Sequence, residues 1–128
     1  MAQIFIDAAT RQHPFESSIG YVIRTDDAVL EFGQYVGDME NHEAEWTSLI
    51  AALKQAEALA IRSVILKSDS RIVVDSVQKN YTKNPKFKPY LSDYRQLKDK
   101  FDLLIIDWIP REQNKHADHV ARYYLNKK

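Results

Sequence analysis

The chain has 128 residues, of which 45% are hydrophobic and 28% charged, the composition of a globular domain, so we expect one domain over residues 1–128. No apolar run approaches the ~20 residues that a membrane helix needs, the first residues lack the pattern of a signal peptide, and cysteine is absent, which excludes disulfides and thiolate sites. These features predict a cytoplasmic protein that does not enter a membrane, and we expect it to be a monomer.

The formal net charge is zero, but the charges are unevenly distributed along the chain. Residues 1–60 contain ten Asp or Glu and three Lys or Arg, whereas residues 61–128 contain eight and fifteen. Either the fold mixes the two halves in space, or the protein carries an acidic site together with a basic binding face.

Three strands are predicted at the start of the chain, over residues 3–7, 18–25 and 28–36. Apolar side chains alternate with other side chains along the second and third of these segments, as expected of strands with one buried face. The pair Asp26-Asp27 is a turn signal between them. Short links between successive strands indicate an antiparallel meander.

A helix and a further strand-helix pair are predicted next. The spacing of three and four residues in Trp46, Leu49, Ile50, Leu53, Ala56 and Ala60 predicts an amphipathic helix, which we expect Asn41 to cap. Residues 62–68 are predicted to form a strand buried on both faces. A second helix is expected from about Ser70, with its inward side chains being Ile72, Val73 and Val77.

The last third of the chain predicts a helix over residues 89–101, a strand over residues 103–109 and a final helix. The strand is almost continuously apolar, which is typical of a parallel strand buried on both faces. Asn114 is expected to cap the final helix. The order βββαβααβα predicts a mixed α/β fold, in which a five-stranded mixed sheet carries helices on both faces.

Four acidic residues occupy positions that suggest a metal site. Asp7 and Asp69 follow strands that crossover rules place side by side, while Glu45 and Asp118 lie one turn inside helices, next to alanines. Each acid alone has an ordinary explanation as a turn, cap or solvated residue. Together they would repel unless divalent cations neutralised them, and hard oxygen ligands favour Mg²⁺ or Mn²⁺. Two such ions are a standard arrangement for hydrolysing phosphodiesters.

The ordered set of acids resembles the type 1 ribonuclease H family, and the resemblance extends over almost the whole chain. The segments that carry it are Ile4-Phe5-Ile6-Asp7, Asn41-His42-Glu43-Ala44-Glu45-Trp46, Ser68-Asp69-Ser70 and Trp108-Ile109-Pro110-Arg111-Glu112-Gln113-Asn114-Lys115-His116-Ala117-Asp118. The resemblance implies a ribonuclease H-like fold and Mg²⁺-dependent hydrolysis of the RNA strand in an RNA–DNA hybrid. It also implies that Asp7, Glu45, Asp69 and Asp118 are the catalytic, metal-binding carboxylates, serving two Mg²⁺ or Mn²⁺ ions.

The chain departs from the family pattern near its first acid and at the start of its first helix. His13 stands where Asn is usual, Phe15 where Gly is usual, and Glu40 where a phosphate-binding Thr is often found. A glycine would permit close approach of the RNA backbone, whereas phenylalanine blocks it or stacks on the nucleic acid. Three functions therefore stay open: a hybrid endoribonuclease, a nucleic-acid binder with weak or no activity, and a nuclease for structured DNA.

Several other polar residues are candidates for binding duplex nucleic acid or for assisting the reaction. The loop before the final helix lacks the mobile His of many relatives, so Arg111 and Glu112 are candidates to take its place. The basic segment 79–88 either contacts phosphates or is a solvated loop held by its aromatic side chains. The predicted substrate-binding residues are Asn41, Ser70, Arg71, His13, Lys79, Lys83, Lys86 and Lys88, and the accessory residues are Arg111, Glu112 and Asn114.

Overall fold

The computed structural model describes residues 1–127, and the order of elements is the predicted one. A short 3₁₀ turn, Arg111–Gln113, precedes the last helix. The strands and helices are β1 Ala2–Arg11, β2 Glu16–Arg24, β3 Val29–Gly37, α1 Asn41–Ala58, β4 Ser63–Ser68, α2 Arg71–Lys79, α3 Lys88–Lys98, β5 Leu103–Trp108 and α4 Lys115–Lys127.

The five strands form one mixed sheet in the order β3-β2-β1-β4-β5. β1 pairs antiparallel with β2, and β2 with β3, whereas β4 is parallel to both β1 and β5. The parallel pairing of β1 with β4 stops at Ile6 and Ser68, so Asp7 and Asp69 follow directly on neighbouring strands. β1 extends beyond its predicted end at residue 7, and Asp7 therefore lies within the strand, opposite Gly20 of β2.

Helices cover both faces of the sheet, as predicted. On one face, α1, α2 and α3 enclose the larger core, while α4 packs on β1, β2 and β3 from the other face. None of these helices, within residues 1–127, is long and apolar enough to cross a membrane. Fully buried side chains of the larger core include Ile4, Ile6, Ile19, Ile23, Trp46, Leu49, Leu53, Val64, Leu66 and Val73.

Two glycines allow α4 to lie close against the strands. A Cβ atom at Gly20 would overlap the backbone nitrogen of Ala121, and one at Gly33 would overlap the ring of Tyr124. Because interiors are close-packed, a side chain at either position would push the helix outward. The close approach of α4 to β2 places Asp118 near Asp7, which is the register partner of Gly20.

The predicted burial of β5 is wrong. β5 is the edge strand, and α4 does not extend over it, so Leu103 is 44% exposed and Ile105 is 38% exposed. β4 also has one fully buried and one partly buried face rather than two fully buried faces. In α2, Val73 and Val77 point inward as expected, but Ile72 is exposed.

The predicted cap of α1 is wrong, and the predicted cap of α4 is correct in position but not in its side-chain contact. Glu40 caps α1 by accepting hydrogen bonds from the backbone nitrogens of His42 (3.0 Å) and Glu43 (2.7 Å), and Asn41 is the first helical residue. The backbone oxygen of Asn114 accepts the first hydrogen bond of α4, from Asp118 at 3.1 Å, but its side-chain oxygen accepts none within the described residues. The second helix begins at Ser70 as predicted, and the Ser70 hydroxyl caps it by accepting from the backbone nitrogen of Val73 at 3.3 Å.

Candidate active site

The four predicted carboxylates line one cleft, although they come from four separate elements of the fold. The cleft has a volume of about 400 Å³ and lies where the parallel pairing of β1 and β4 ends, beside α1 and α4. Asp7 comes from β1, Asp69 from the end of β4, Glu45 from α1 and Asp118 from α4. The remaining lining residues are Ala8, Ala9, Thr10, Asn41, Arg111, Arg122, Leu125 and Asn126.

Asp7 is the most strongly perturbed acid of the cleft. Its side chain is only 9% exposed, and burial together with the charges of Asp69, Asp118 and Glu45 raises its pKa from 3.8 to about 8. A hydrogen bond of 2.8 Å from the backbone nitrogen of Ala8 to Oδ1 opposes this shift. The ionised cleft is therefore electrostatically unfavourable in the protein alone, because three acids act on a fourth that water scarcely reaches.

Glu45 is held through one of its two carboxylate oxygens. His42 Nδ1 lies 3.1 Å from Oε1, and the hydroxyl of Ser70 donates to the same atom at 3.0 Å. Burial raises the pKa of Glu45, while these two hydrogen bonds lower it. Ser70, which is predicted to bind substrate, also orients Glu45 and caps α2. The contribution of His42 was missed from the sequence, although its position three residues before Glu45 on one helix is the signal for it.

Asn114 connects three elements of the site. Its side chain is 1% exposed, and its Nδ2 donates to the backbone oxygen of Ile6 (2.8 Å) and to Oδ2 of Asp69 (3.0 Å). The indole nitrogen of Trp108 donates to the backbone oxygen of Asp69 at 3.1 Å. β1, β4, β5 and the start of α4 are thereby joined around Asp69, which fixes the position of that carboxylate.

The chemistry of the cleft fits hard divalent cations. Its donors are carboxylate oxygens, which Mg²⁺ and Mn²⁺ prefer, and the raised pKa of Asp7 shows the excess negative charge that such ions would neutralise. Within residues 1–127, no three His, Asp or Glu side chains are grouped closely enough to hold one ion among them. Mg²⁺ binds through one or two carboxylates and fills its other positions with water and phosphate oxygens, so it does not require three protein ligands.

The other predicted residues are divided between the cleft and its surroundings. Asn41 and Arg111 line the cleft, and Thr10 donates to Oδ1 of Asn41 at 3.2 Å. Arg71 is exposed outside the cleft, where its guanidinium lies 3.7 Å from the ring centre of Trp108. His13 and Glu112 are exposed and are not among the lining residues.

The four predicted lysines are all exposed, and none lines the cleft. Lys86 Nζ lies 3.1 Å from Oε1 of Glu43, in the first turn of α1 and two residues before Glu45. The basic loop is therefore joined to α1 through Glu43, a residue that does not line the cleft. Of the two aromatic side chains expected to hold this loop, Phe87 is buried and Tyr81 is exposed.

Two cleft residues on α4 escaped the sequence analysis. Arg122 Nε donates to Oδ1 of Asp118 at 3.1 Å, and Asn126 accepts from the guanidinium of Arg11 at 2.6 Å. Their spacing of four and eight residues from Asp118 places all three along one side of α4. That spacing was the available signal, but which side of α4 faces the cleft depends on packing that the sequence does not show locally.

The mixed five-stranded sheet and the four carboxylates at one cleft define an α/β protein with a candidate metal-binding active site. Comparison with known proteins identifies its family. Residues 5–124 match the family described as "Reverse transcriptase-like". The chain is 47% identical over 129 residues to "Putative hydrolase EbsB" of Enterococcus faecalis, covering 99% of this chain and 96% of that protein. It is 30% identical over 125 residues to "Ribonuclease HI" of Halobacterium salinarum, covering 95% of this chain but only 63% of that protein.

Solved structures agree with this assignment. The fold superposes on RNase H1 of Halobacterium salinarum NRC-1 with a TM-score of 0.92 at 28% identity, covering 99% of this chain and 98% of that one. LC11-RNase H1, solved in complex with an RNA/DNA hybrid, gives a TM-score of 0.90 at 27% identity with the same coverage. The chain belongs to the ribonuclease H family of hydrolases, as its sequence motifs implied.

Proposed function

We propose that this protein is a metal-dependent endoribonuclease that hydrolyses the RNA strand of RNA–DNA hybrids. The observation that carries the proposal is the meeting of Asp7, Glu45, Asp69 and Asp118 at one cleft. Repelling carboxylates would be disfavoured there without a function that uses their charge, since burial of one of them already raises its pKa to about 8. The relatives named ribonuclease H, one of them bound to an RNA/DNA hybrid, supply the substrate class.

The four carboxylates are the proposed ligands for two Mg²⁺ or Mn²⁺ ions. When bound, such ions activate the attacking water and stabilise the leaving oxygen of a phosphodiester. Ser70 and His42 both contact Oε1 of Glu45. These contacts fix the plane of the carboxylate, and with it the position of the other oxygen. Asn114 fixes Asp69 in the same way through Oδ2. Pre-positioned ligands of this kind reduce the reorganisation that the reaction requires.

Cations around the cleft are suited to positioning the phosphates of the bound strands. Arg111 and Arg122 line the cleft itself, and the basic loop with Lys79, Lys83 and Lys86 contacts α1 outside the cleft through the pair Lys86–Glu43. Arg71, stacked on Trp108, adds a cation beside Asp69. We propose that the partner is an RNA–DNA hybrid or another duplex nucleic acid, and that the protein is a monomer. Because the chain has no cysteine, we also propose a reducing compartment such as the cytoplasm.

The activity is tested with an end-labelled RNA–DNA hybrid incubated with Mg²⁺, Mn²⁺ or EDTA, beside single-stranded RNA, duplex RNA and duplex DNA. We expect cleavage of the RNA strand with either metal, products ending in 5′-phosphate and 3′-hydroxyl, and none with EDTA. Asp7→Asn should reduce cleavage to the background without protein. Asp93→Asn, which removes an exposed acid of α3, is the matched control and should cleave like the wild type.

A second candidate is a hybrid-binding protein with weak or no catalytic activity. It is favoured by the exposed Phe15 at the end of the β1–β2 hairpin, whose first strand lines the cleft through Ala8, Ala9 and Thr10. Hybrid that is bound but stays intact with both metals would establish this alternative. Equal cleavage of duplex DNA would instead indicate a nuclease for structured DNA.

A further inference from the structure

The outer face of α4 carries a stripe of five exposed side chains, and Asp118, the acid that precedes it on the same side of the helix, lines the cleft. The five residues of the stripe are spaced by three or four positions, so they share one side of the helix, and all five are exposed. They line a shallow groove of about 590 Å³, called the α4 groove below. Residues 119–127 contain no Asp or Glu. The α4 groove is lined by His119, Arg122, Tyr123, Asn126 and Lys127.

The α4 groove is continuous with the acidic cleft. Arg122 and Asn126 line both, so no other element separates the two concavities. Arg11, at the end of β1, donates to Asn126 at 2.6 Å and adds its charge to this border. Three cations, Arg11, Arg122 and Lys127, thus lie where the carboxylates end, and Arg122 pairs with Asp118 of the cleft.

Tyr123 places an aromatic ring in the middle of these cations. The ring is 50% exposed and packs edge-on against Tyr124, with ring centres 5.2 Å apart and planes at 83°. Lys127 Nζ donates to its hydroxyl at 2.9 Å. A half-exposed ring that neighbours hold in place loses little conformational freedom when a planar group stacks on it.

We infer that the α4 groove binds an unpaired polynucleotide strand that continues out of the cleft. Cations around an exposed aromatic ring are the arrangement by which proteins hold single strands, with phosphates on the cations and a base on the ring. The inference rests on the proposed function, because the strand in question is the one whose phosphodiester lies among the carboxylates. It adds a substrate class: hybrids that carry a single-stranded extension, such as branched or incompletely paired molecules.

A polynucleotide fits this surface better than a protein partner does. A protein interface of ordinary size has an apolar centre, whereas the single large aromatic here is surrounded by charged and polar groups. The five residues that line the groove include no acid, although Arg122 pairs with Asp118 at the border of the cleft. The neighbouring cleft is the site proposed for a phosphodiester backbone.

The test compares the affinity of the full chain for a blunt hybrid with its affinity for hybrids that bear a short unpaired extension at the 5′ or 3′ end of either strand. Binding is followed by fluorescence anisotropy in EDTA, where no cleavage is expected. We expect at least one extended hybrid to bind about fivefold more tightly than the blunt one, the lower end of the contribution of one stacked base. Tyr123→Ala combined with Lys127→Gln should remove this gain.

Two further variants separate stacking from general loss of charge. Tyr123→Phe retains the ring and should retain most of the gain, whereas Lys98→Gln, which neutralises an exposed lysine of α3, should leave it intact. Thermal melts of all variants exclude loss of folding as the cause of any difference.

The inference is overturned if no extension improves binding, or if the gain persists in the Tyr123→Ala/Lys127→Gln variant. Its failure is distinct from failure of the proposed function, which is read from cleavage of the blunt hybrid in Mg²⁺ or Mn²⁺. If the blunt hybrid is cut but extensions do not improve binding, the proposed activity stands and the inference about the α4 groove is wrong. If the blunt hybrid is not cut but an extension improves binding in a Tyr123-dependent way, the α4 groove binds the strand and the proposed activity is wrong.

Discussion

Replacing Asp7 with Asn should stabilise the metal-free protein, even though it should abolish activity. The folded-state pKa of Asp7 is about 8, against an ordinary value of 3.8, so folding disfavours its ionised form. Below pH 3.8 both folded and unfolded chains hold the proton, and no penalty exists. As pH rises through 3.8 towards 8, the unfolded chain ionises first, and stability is progressively lost.

The size of the effect follows from the distance between the two pKa values. Each unit corresponds to about 1.4 kcal/mol, so the penalty is about 2 kcal/mol at pH 5 and about 4 kcal/mol at pH 7. Asparagine removes the charge but retains a side-chain oxygen that accepts the hydrogen bond from Ala8. The free energy of unfolding of Asp7→Asn should therefore exceed that of the wild type by these amounts.

The assay is urea unfolding of both proteins in EDTA at several pH values between 4 and 8.5, with Asp93→Asn as the control. The advantage of Asp7→Asn should grow with pH, while Asp93→Asn should stay within about 0.5 kcal/mol of the wild type. Mg²⁺ should then stabilise the wild type more than Asp7→Asn, because the ion and the lost charge relieve the same repulsion. If Asp7→Asn is no more stable than the wild type at pH 7 without metal, burial and the neighbouring acids do not disfavour the ionised form of Asp7 as argued.

Three further predictions concern the loops and the link to Asp69. Lys79→Gln with Lys83→Gln should lower the log–log salt dependence of hybrid binding by about 1.8, and an unchanged slope would show a merely solvated loop. His13→Asn with Phe15→Gly should raise the rate of hybrid cleavage, because the β1–β2 hairpin would then admit the RNA backbone. An equal or lower rate would show that these two residues do not limit cleavage. Asn114→Ala leaves the buried backbone oxygen of Ile6 and the partly buried Oδ2 of Asp69 without their donor, and should cost about 1–3 kcal/mol in urea unfolding. Mg²⁺ should also stabilise this variant less than the wild type, and unfolding like the wild type would contradict the linking role.

The sequence predicts the elements and their order because periodicity is a local property. The spacing from Trp46 onward predicts α1, and the serine after Asp69 predicts the start of α2, as observed. Exposure of β5 could not be predicted, because an apolar strand at a sheet edge has the same residue pattern as a central one. Its exposure depends on α4 lying over β1, β2 and β3 only.

Some features of the candidate site could likewise be predicted from the sequence, whereas others depend on contacts between distant residues. Asp7 and Asp69 could be paired from crossover rules, since parallel neighbours end at the same edge. The hydrogen bonds of Asn114 join positions 108 and 45 residues apart, and no local pattern predicts them. Local helix rules instead suggested a cap, because an Asn before a helix usually satisfies the helix rather than a distant carboxylate.

The uncovered edge of the sheet has a consequence for the behaviour of the protein at high concentration. β5 presents Leu103 and Ile105 beside an unpaired backbone edge, a surface on which strands of separate molecules can add to one another. Exposed acids stand at both ends of this strand, Asp102 before it and Asp107 near its end. They act as gatekeepers against fibrous self-association, and neutralising both should make light scattering rise at protein concentrations where the wild type stays clear.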